Sequence, residues 1–197
     1  IGELVSTLID ECKKKNLTYE VIVIDDGSTD NTREKLLPFF NNPSFRYVKF
    51  RRNLGKAYAL QTGFYLANGD WVATIDADLQ DDPHELLRLF GYARERNADI
   101  VSGWRQKRQD PFLKTFLSRV FNTVVSSLSG LRLHDINCGL KVYKKTVVKS
   151  IEIYGELHRY IPAIARSYGF SAIHELPVVH YPRKSGKSKY GIWRYFA

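Results

Sequence analysis

Short apolar runs along this chain alternate with stretches whose apolar positions recur every three to four residues. That is the pattern of strands alternating with helices, and it predicts an α/β fold with a mainly parallel sheet. Glu3 to Lys15 reads as an amphipathic helix, and Tyr19 to Ile24 (YEVIVI) as a β-branched strand apolar enough to be buried on both faces. Asp25 to Asp30 is a loop that leads into a helix through Leu37. Pro43 opens a turn, and Phe45 to Phe50 is the next strand. Gly55 to Ala67 is a helix ended by Asn68-Gly69-Asp70, and Trp71 to Ile75 is a central strand. Asp82-Pro83-His84-Glu85 starts a helix: Asp82 as cap, Pro83 at the first helical position, Glu85 to complete a capping box. Strands follow at Ala98 to Gly103, Leu140 to Tyr143 and Ser171 to His180. Helices follow at Phe112 to Leu128, with a basic edge, and at Tyr160 to Tyr168. The chain opens directly on a helix, so the strand that a doubly wound sheet places first is expected upstream of Ile1.

Length and composition narrow the class. The 197 residues suffice for one domain with a proper core, 44% hydrophobic content is ordinary for a globular fold, and no internal repeat or low-complexity tract interrupts them. Cys12 and Cys138 give neither zinc spacing nor a disulfide framework, and read as packing residues in a reducing compartment. No run of about 18 apolar residues is present to span a bilayer, and no signal peptide is visible. The net charge of +9 implies an anionic partner: nucleic acid, nucleotide or membrane surface. The charge is segregated. Residues 70 to 85 carry six acids and no Lys or Arg, and His180 to Ala197 carry five Lys or Arg and no acid.

The candidate chemistry sits at strand ends. In Trp71-Val-Ala-Thr-Ile-Asp-Ala-Asp-Leu-Gln80 an apolar strand ends in Asp76, Asp78 and Gln80. In extended geometry these three side chains share one side, and oxygen ligands so gathered suit a hard divalent cation that holds a diphosphate. Asp81 and Asp82 are also explained as an acidic lead-in to the following helix. Asp25-Asp26-Gly27-Ser28 follows a strand. A tight turn accounts for Gly27 and Ser28, whereas one of the two carboxylates is free to accept from the N–H groups of a uracil or a guanine. Arg51 to Lys56 places Gly55 and Lys56 at a helix N-terminus, where Lys56 could reach a phosphate. Asp135 could orient an acceptor, act as a base or cap a turn. Glu156-Leu-His158-Arg159 makes an anion contact plausible. Arg183 to Tyr190 reads as a basic linker or a lid hinged at Gly186, followed by an aromatic, partly basic stretch suited to a membrane interface.

Taken together, VIVIDDGSTDNT at 21 to 32, NLGKAYAL at 53 to 60, ATIDADLQDDP at 73 to 83, GWR at 103 to 105, DINCGLKVY at 135 to 143, ELHRYIP at 156 to 162 and PRKSGKSKYG at 182 to 191 resemble a family 2 glycosyltransferase with the GT-A fold. More narrowly, they resemble the polyprenol-phosphate sugar transferases. The resemblance implies a Rossmann-like, mainly parallel sheet flanked by helices, in a single catalytic domain over 1–197 whose residues 180–197 form a basic lid and interfacial tail. It implies that Asp26, or else Asp25, with Gly27, Ser28 and Lys56, serves the nucleotide donor. Asp76 would contact the ribose side or hold the metal through water, and Asp78 and Gln80 would coordinate Mg²⁺ or Mn²⁺. Arg105 and Arg119 would face the acceptor phosphate, near Asp135, and Arg183, Ser188 and Lys189 would close on the donor diphosphate. The expected reaction is metal-dependent transfer, with inversion, from a UDP- or GDP-linked sugar to a polyprenyl phosphate at the cytoplasmic face of a membrane. The expected partners are the nucleotide sugar, the polyprenyl phosphate and an anionic membrane surface, and no nucleic acid. The alternatives are a glycan or protein hydroxyl as acceptor, with Asp135 as base, or a non-catalytic basic module for lipid or nucleic acid. Against nucleic acid stands the acidic centre, which repels phosphates in the absence of a cation.

Overall fold

The run of β-branched residues after Glu20 forms strand β1 (Val21–Asp25), which pairs in parallel with β2 (Phe45–Lys49), Val21 opposite Phe45 and Asp25 opposite Lys49. The computed structural model describes residues 1–106, 130–131 and 133–182. The expected helix at 112–128 with Arg119, and the stretch carrying Arg183, Gly186, Ser188 and Lys189, lie outside the described residues.

A second sheet holds four strands: β3 (Trp71–Thr74), β4 (Ile100–Trp104), β5 (Lys141–Lys144) and β6 (Ile173–Pro177), in the order β3-β5-β4-β6. β4 and β6 are parallel, whereas β5 runs antiparallel between β3 and β4, so the second sheet is mixed. The expected strand from Ser171 to His180 shortens to Ile173–Pro177. Pro177 has no N–H to donate, and only Val178 N continues the ladder, to Trp104 O at 2.9 Å.

Helices cover both faces of the four-stranded sheet, as expected of an α/β fold. On one face lie α1 (Gly2–Lys14) and α4 (Pro83–Arg96), whose Leu4, Leu8, Leu86, Leu89 and Ala93 pack with Val101 and Val142. On the other lie α3 (Lys56–Leu66), α5 (Lys145–Ser150) and α6 (Ile161–Ser167), whose Phe64, Val147 and Ile161 pack with Ile100 and Tyr143. Successive residues of β4 and of β5 therefore enter opposite cores, as the period of two requires. α2 (Thr32–Leu36) supplies Leu36 to a third core, with Val5, Ile9 and Phe45, over the two-stranded sheet. α1 thus bridges the sheets, with Leu4 and Leu8 on one side and Val5 and Ile9 on the other.

Among the described residues no ladder joins β1 to β3. Their facing edges line a mostly apolar cavity of about 530 Å³, with Val21, Ile22 and Ile24 on one wall and Trp71, Val72 and Thr74 on the other. This explains why Val21 to Ile24 are half-buried rather than sealed on both faces as the sequence suggests.

Local signals hold with one exception. Asp82 caps α4 by accepting from His84 N at 2.9 Å, with Pro83 in the first turn. Glu85 does not close a capping box; it turns to Arg88 Nε at 2.7 Å. Gly27 adopts φ 75°, and a Cβ there would lie 2.5 Å from the backbone carbon of Arg52. Gly27→Ala is therefore expected to cost about 1–3 kcal/mol, read as a lower urea midpoint with an unchanged m-value.

Candidate active site

Polar groups converge at the carboxyl end of β3 and on the loops beside it. The β3–β5 ladder stops at Thr74, and the chain turns through Ala77 and Asp78 to Leu79, which sits at φ 59°. Asp76, Asp78 and Gln80 are therefore not three successive outward positions of one strand, as extended geometry suggested. A left-handed leucine is a strained conformation, and here it closes a turn in which Asp78 Oδ1 accepts from Gln80 N at 3.2 Å.

Asp76 faces the neighbouring helix instead. Both its oxygens accept from Lys56 Nζ, at 2.7 and 2.8 Å, so Lys56 holds a carboxylate here rather than standing ready for a phosphate. Burial opposes ionisation of Asp76, but the Lys56 ammonium outweighs it, with Lys141 and Arg105 adding to the effect, and Asp76 is held below the usual carboxylate range. Gly139 makes room for that carboxylate: a Cβ at 139 would lie 2.6 Å from Asp76 Oδ2.

Asp25 and Asp26 are both engaged by the protein. Asp25 is 4% exposed and accepts from Tyr47 Oη at 2.6 Å and Ser28 N at 2.7 Å. Burial works against its charge, but the Tyr47 hydroxyl and Ser28 more than compensate, and its pKa is lowered; burial and then Asp25 push Tyr47 up to about 12. Asp25 thus shapes the turn that Ser28 occupies. Asp26 accepts from Leu54 N at 2.6 Å and Gly55 N at 3.0 Å, so it ties the loop ahead of α3 to β1, and it lines the cavity between the sheets.

Arg105 and Asp135 meet in a bidentate pair, Nε to Oδ2 at 2.7 Å and an Nη to Oδ1 at 3.1 Å, with Asp135 2% exposed. Burial pulls the Arg105 pKa down, but the pairing with Asp135 raises it overall. Asp135 is therefore the counter-ion of Arg105, which removes the reading of it as a ready base. Glu175 on β6 holds the start of this loop by accepting from His134 N at 2.8 Å and Asp135 N at 2.7 Å, and Trp104 stacks on His134 at 4.1 Å.

Four groups here escaped sequence reasoning. Lys141 on β5 is 4% exposed and donates to Ile136 O at 3.1 Å and to Cys138 O, which fixes the loop between Asp135 and Gly139. Tyr47 and Glu175 act as described. His180 reaches back across 99 residues to Asp81, Nδ1 to Oδ1 at 2.9 Å. A lysine at the head of a predicted strand and a histidine at the end of one were the visible signals; neither says which loop it serves. His158 has a buried Nδ1 with no hydrogen-bond partner among the described residues, and burial, with Lys56 nearby, lowers its pKa to about 4. It is a neutral imidazole, and Arg159, beside which an anion contact was plausible, pairs with Glu156 at 3.0 Å.

Among the described residues no three His, Cys, Asp or Glu side chains gather into a metal-binding group. The oxygen donors of Asp78 and Gln80 nevertheless share one short turn. Few protein ligands plus substrate phosphates is how Mg²⁺-type cations are commonly held, so the donor set fits such an ion.

The family model for glycosyl transferase family 2 matches residues 1–152. The chain belongs to glycosyl transferase family 2. Among its relatives in sequence, dodecaprenyl-phosphate galacturonate synthase of Rhizobium johnstonii is 38% identical over 182 residues, covering 90% of this chain and 54% of that protein. Undecaprenyl-phosphate 4-deoxy-4-formamido-L-arabinose transferase of Edwardsiella ictaluri is 35% identical over 196 residues, covering 98% of this chain and 60% of that protein. The chain thus spans a little over half the length of these relatives. In structure it is similar to glucosyl-3-phosphoglycerate synthase of Mycobacterium tuberculosis, solved with Mn²⁺, uridine diphosphate and phosphoglyceric acid. The TM-score is 0.70 at 18% identity, covering 94% of this chain and 66% of that one. The similarity confirms the glycosyltransferase α/β fold expected from the sequence.

Two outcomes follow for the family 2 site. Asp135→Ala leaves Arg105 buried without its counter-ion and is expected to cost about 3–5 kcal/mol in urea denaturation, whereas Asp135→Leu with Arg105→Met is expected to recover most of it. Gly139→Ala drives Asp76 off Lys56 with little loss of fold, and NMR titration is expected to show the Asp76 pKa rising toward the ordinary carboxylate range at nearly unchanged Tm.

Proposed function

We propose that this domain transfers a sugar from a nucleotide diphosphate sugar to a polyprenyl phosphate, with inversion at the anomeric carbon, at the cytoplasmic face of a membrane. The observation that carries the reading is the polar floor at the carboxyl ends of the strands in a family 2 chain: the Asp78–Gln80 turn, the Lys56–Asp76 pair and the Arg105–Asp135 pair. The names of the two sequence relatives, both polyprenyl-phosphate sugar transferases, support the acceptor class.

Asp78 and Gln80 would hold Mg²⁺ or Mn²⁺, with Asp76 behind them. Bound there, the cation supplies positive charge against the diphosphate of the leaving nucleotide. The nucleoside would pass over Asp26, Gly27 and Ser28; Asp25 supports that turn from beneath. Arg183, Ser188 and Lys189 would close on the diphosphate. Arg105, oriented by Asp135, and Arg119 would face the acceptor phosphate. A phosphate monoester has a second pKa of about 6 and is largely ionised at neutral pH, so it attacks without help from a strong base. The clamped state of Asp135 favours this acceptor over a hydroxyl, which needs a base.

The basic residues outside the described part would meet anionic lipid, each contributing about 1 kcal/mol near the surface. Among the described residues no helix is long and apolar enough to cross a membrane. The cavity between β1 and β3 would take a further parallel strand joined ahead of α1, since α1 already spans both sheets in the manner of a crossover helix.

The test is transfer of radiolabelled sugar from UDP- and GDP-linked donors to undecaprenyl phosphate, with Mn²⁺ and with chelator. Transfer is expected to vanish with chelator and to fall by at least about 100-fold in Asp78→Ala. Transfer to a glycan hydroxyl in preference to the lipid phosphate would overturn the proposed acceptor.

A further inference from the structure

Leu79 stands between the two expected cation ligands in a conformation that its side chain disfavours. Its φ of 59° is left-handed, a region in which a Cβ crowds the following carbonyl and which glycine or asparagine occupies more readily. Such a conformation persists only where the surrounding contacts over-determine it. Two ties hold the backbone just beyond it: Gln80 N donates to Asp78 Oδ1 at 3.2 Å, and Tyr181 N donates to Gln80 O at 2.7 Å. The third tie is the leucine side chain. It packs on the core that α1 and α4 build over the four-stranded sheet, with Leu4, Leu8, Leu86 and Leu89 among its members. There it lines a cleft of about 380 Å³ together with Leu4 and Thr7 of α1 and Pro83 of α4.

We infer that Leu79 is a positioning residue for the divalent cation: its side chain anchors the 78–80 turn in the α1–α4 core, and that anchor aims Asp78 and Gln80 at a common point. The inference rests on the proposed cation reading of the turn. Three features support it. A bulky residue occupies a position where the backbone alone selects glycine, so the side chain supplies something that glycine lacks. The run from Asp78 to Asp82 is otherwise polar, which makes Leu79 its one apolar grip on the core. The remaining ties are hydrogen bonds, and water can replace those at modest net cost. Ligands that must stay within about 0.5 Å of their working positions need the firmer hold.

The idea separates two accounts of the turn. If the backbone conformation alone sets it, residues that prefer the left-handed region improve the site. If the anchor sets it, the same residues damage the site. Leu79→Gly and Leu79→Asn both suit a left-handed backbone and both lose the apolar grip, whereas Leu79→Met keeps one.

The experiment titrates UDP and GDP by calorimetry into the full chain and each variant, in Mn²⁺ and in chelator, with folding checked by the urea midpoint. Mn²⁺ is expected to tighten the nucleotide in the wild-type chain. The glycine and asparagine variants are expected to lose about tenfold or more of that affinity in Mn²⁺ and to match the wild type in chelator. Leu79→Met is expected to retain the wild-type affinity in both. Leu79→Asn decides alone if the glycine variant fails to fold. Equal or tighter binding in Mn²⁺ by these two variants overturns the inference and leaves the cation reading standing, as does a loss of the same size in chelator or in Leu79→Met. A wild-type chain whose nucleotide affinity ignores Mn²⁺ overturns both.

Discussion

The ion pair between Lys56 and Asp76 is the contact on which the site's arrangement turns. Lys56 begins α3, which packs on β1 as well as on one face of the four-stranded sheet, and Asp76 follows the end of β3. Their two short hydrogen bonds cross between the halves of the molecule beside the cavity that separates them. Other links repeat the theme at the periphery: Glu20 accepts from Asn68 N at 2.6 Å, and Lys149 donates to Phe64 O and Tyr65 O at 2.7 Å each. Those links close helix ends and turns. The Lys56–Asp76 pair joins the start of α3 to the end of β3 at the polar floor of the site.

Around it, each deeply placed charge has its own compensation. Asp25 is matched by Tyr47 and Ser28, Asp135 by Arg105, Asp81 by His180, and Lys141 by two carbonyls. Buried ionic groups of this kind add little net stability over apolar ones of like shape, yet removing one partner is costly. Their effect is positional. The loop from Asp135 to Gly139 is held at its start by Glu175, in its middle by Lys141 and at its end by Thr74. It presents one carboxylate to Arg105 and one glycine to Asp76 with little freedom to drift.

Much of this was legible in the sequence, because it is local. VIVID reads as a strand, Asp82-Pro83 reads as a helix start, and an apolar run ending in Asp76, Asp78 and Gln80 reads as a polar strand end. Residues whose meaning depends on distant partners were not legible. Nothing in the spacing shows that Lys56 would meet Asp76, or that Asp135 would be consumed by Arg105. The left-handed Leu79 hides as well, since leucine carries no turn signal; propensity yields there to the pull of the surrounding contacts. The antiparallel placement of β5 escapes the period-two pattern, which reads alike in either direction. The glycosyltransferase family itself was legible from the order of its motifs, a form of information that outlasts uncertainty about any one side chain.

The stack of Trp104 on His134 carries a use of its own. The indole sits at the end of β4, face to face with the imidazole at 4.1 Å, on the residue just ahead of Asp135. An indole's emission depends on what lies against its face and on how wet its edge is. A shift of the 134–139 loop as small as a rotamer change would therefore alter the colour and yield of light from this residue. The protein carries its own optical gauge of the loop that aims Arg105.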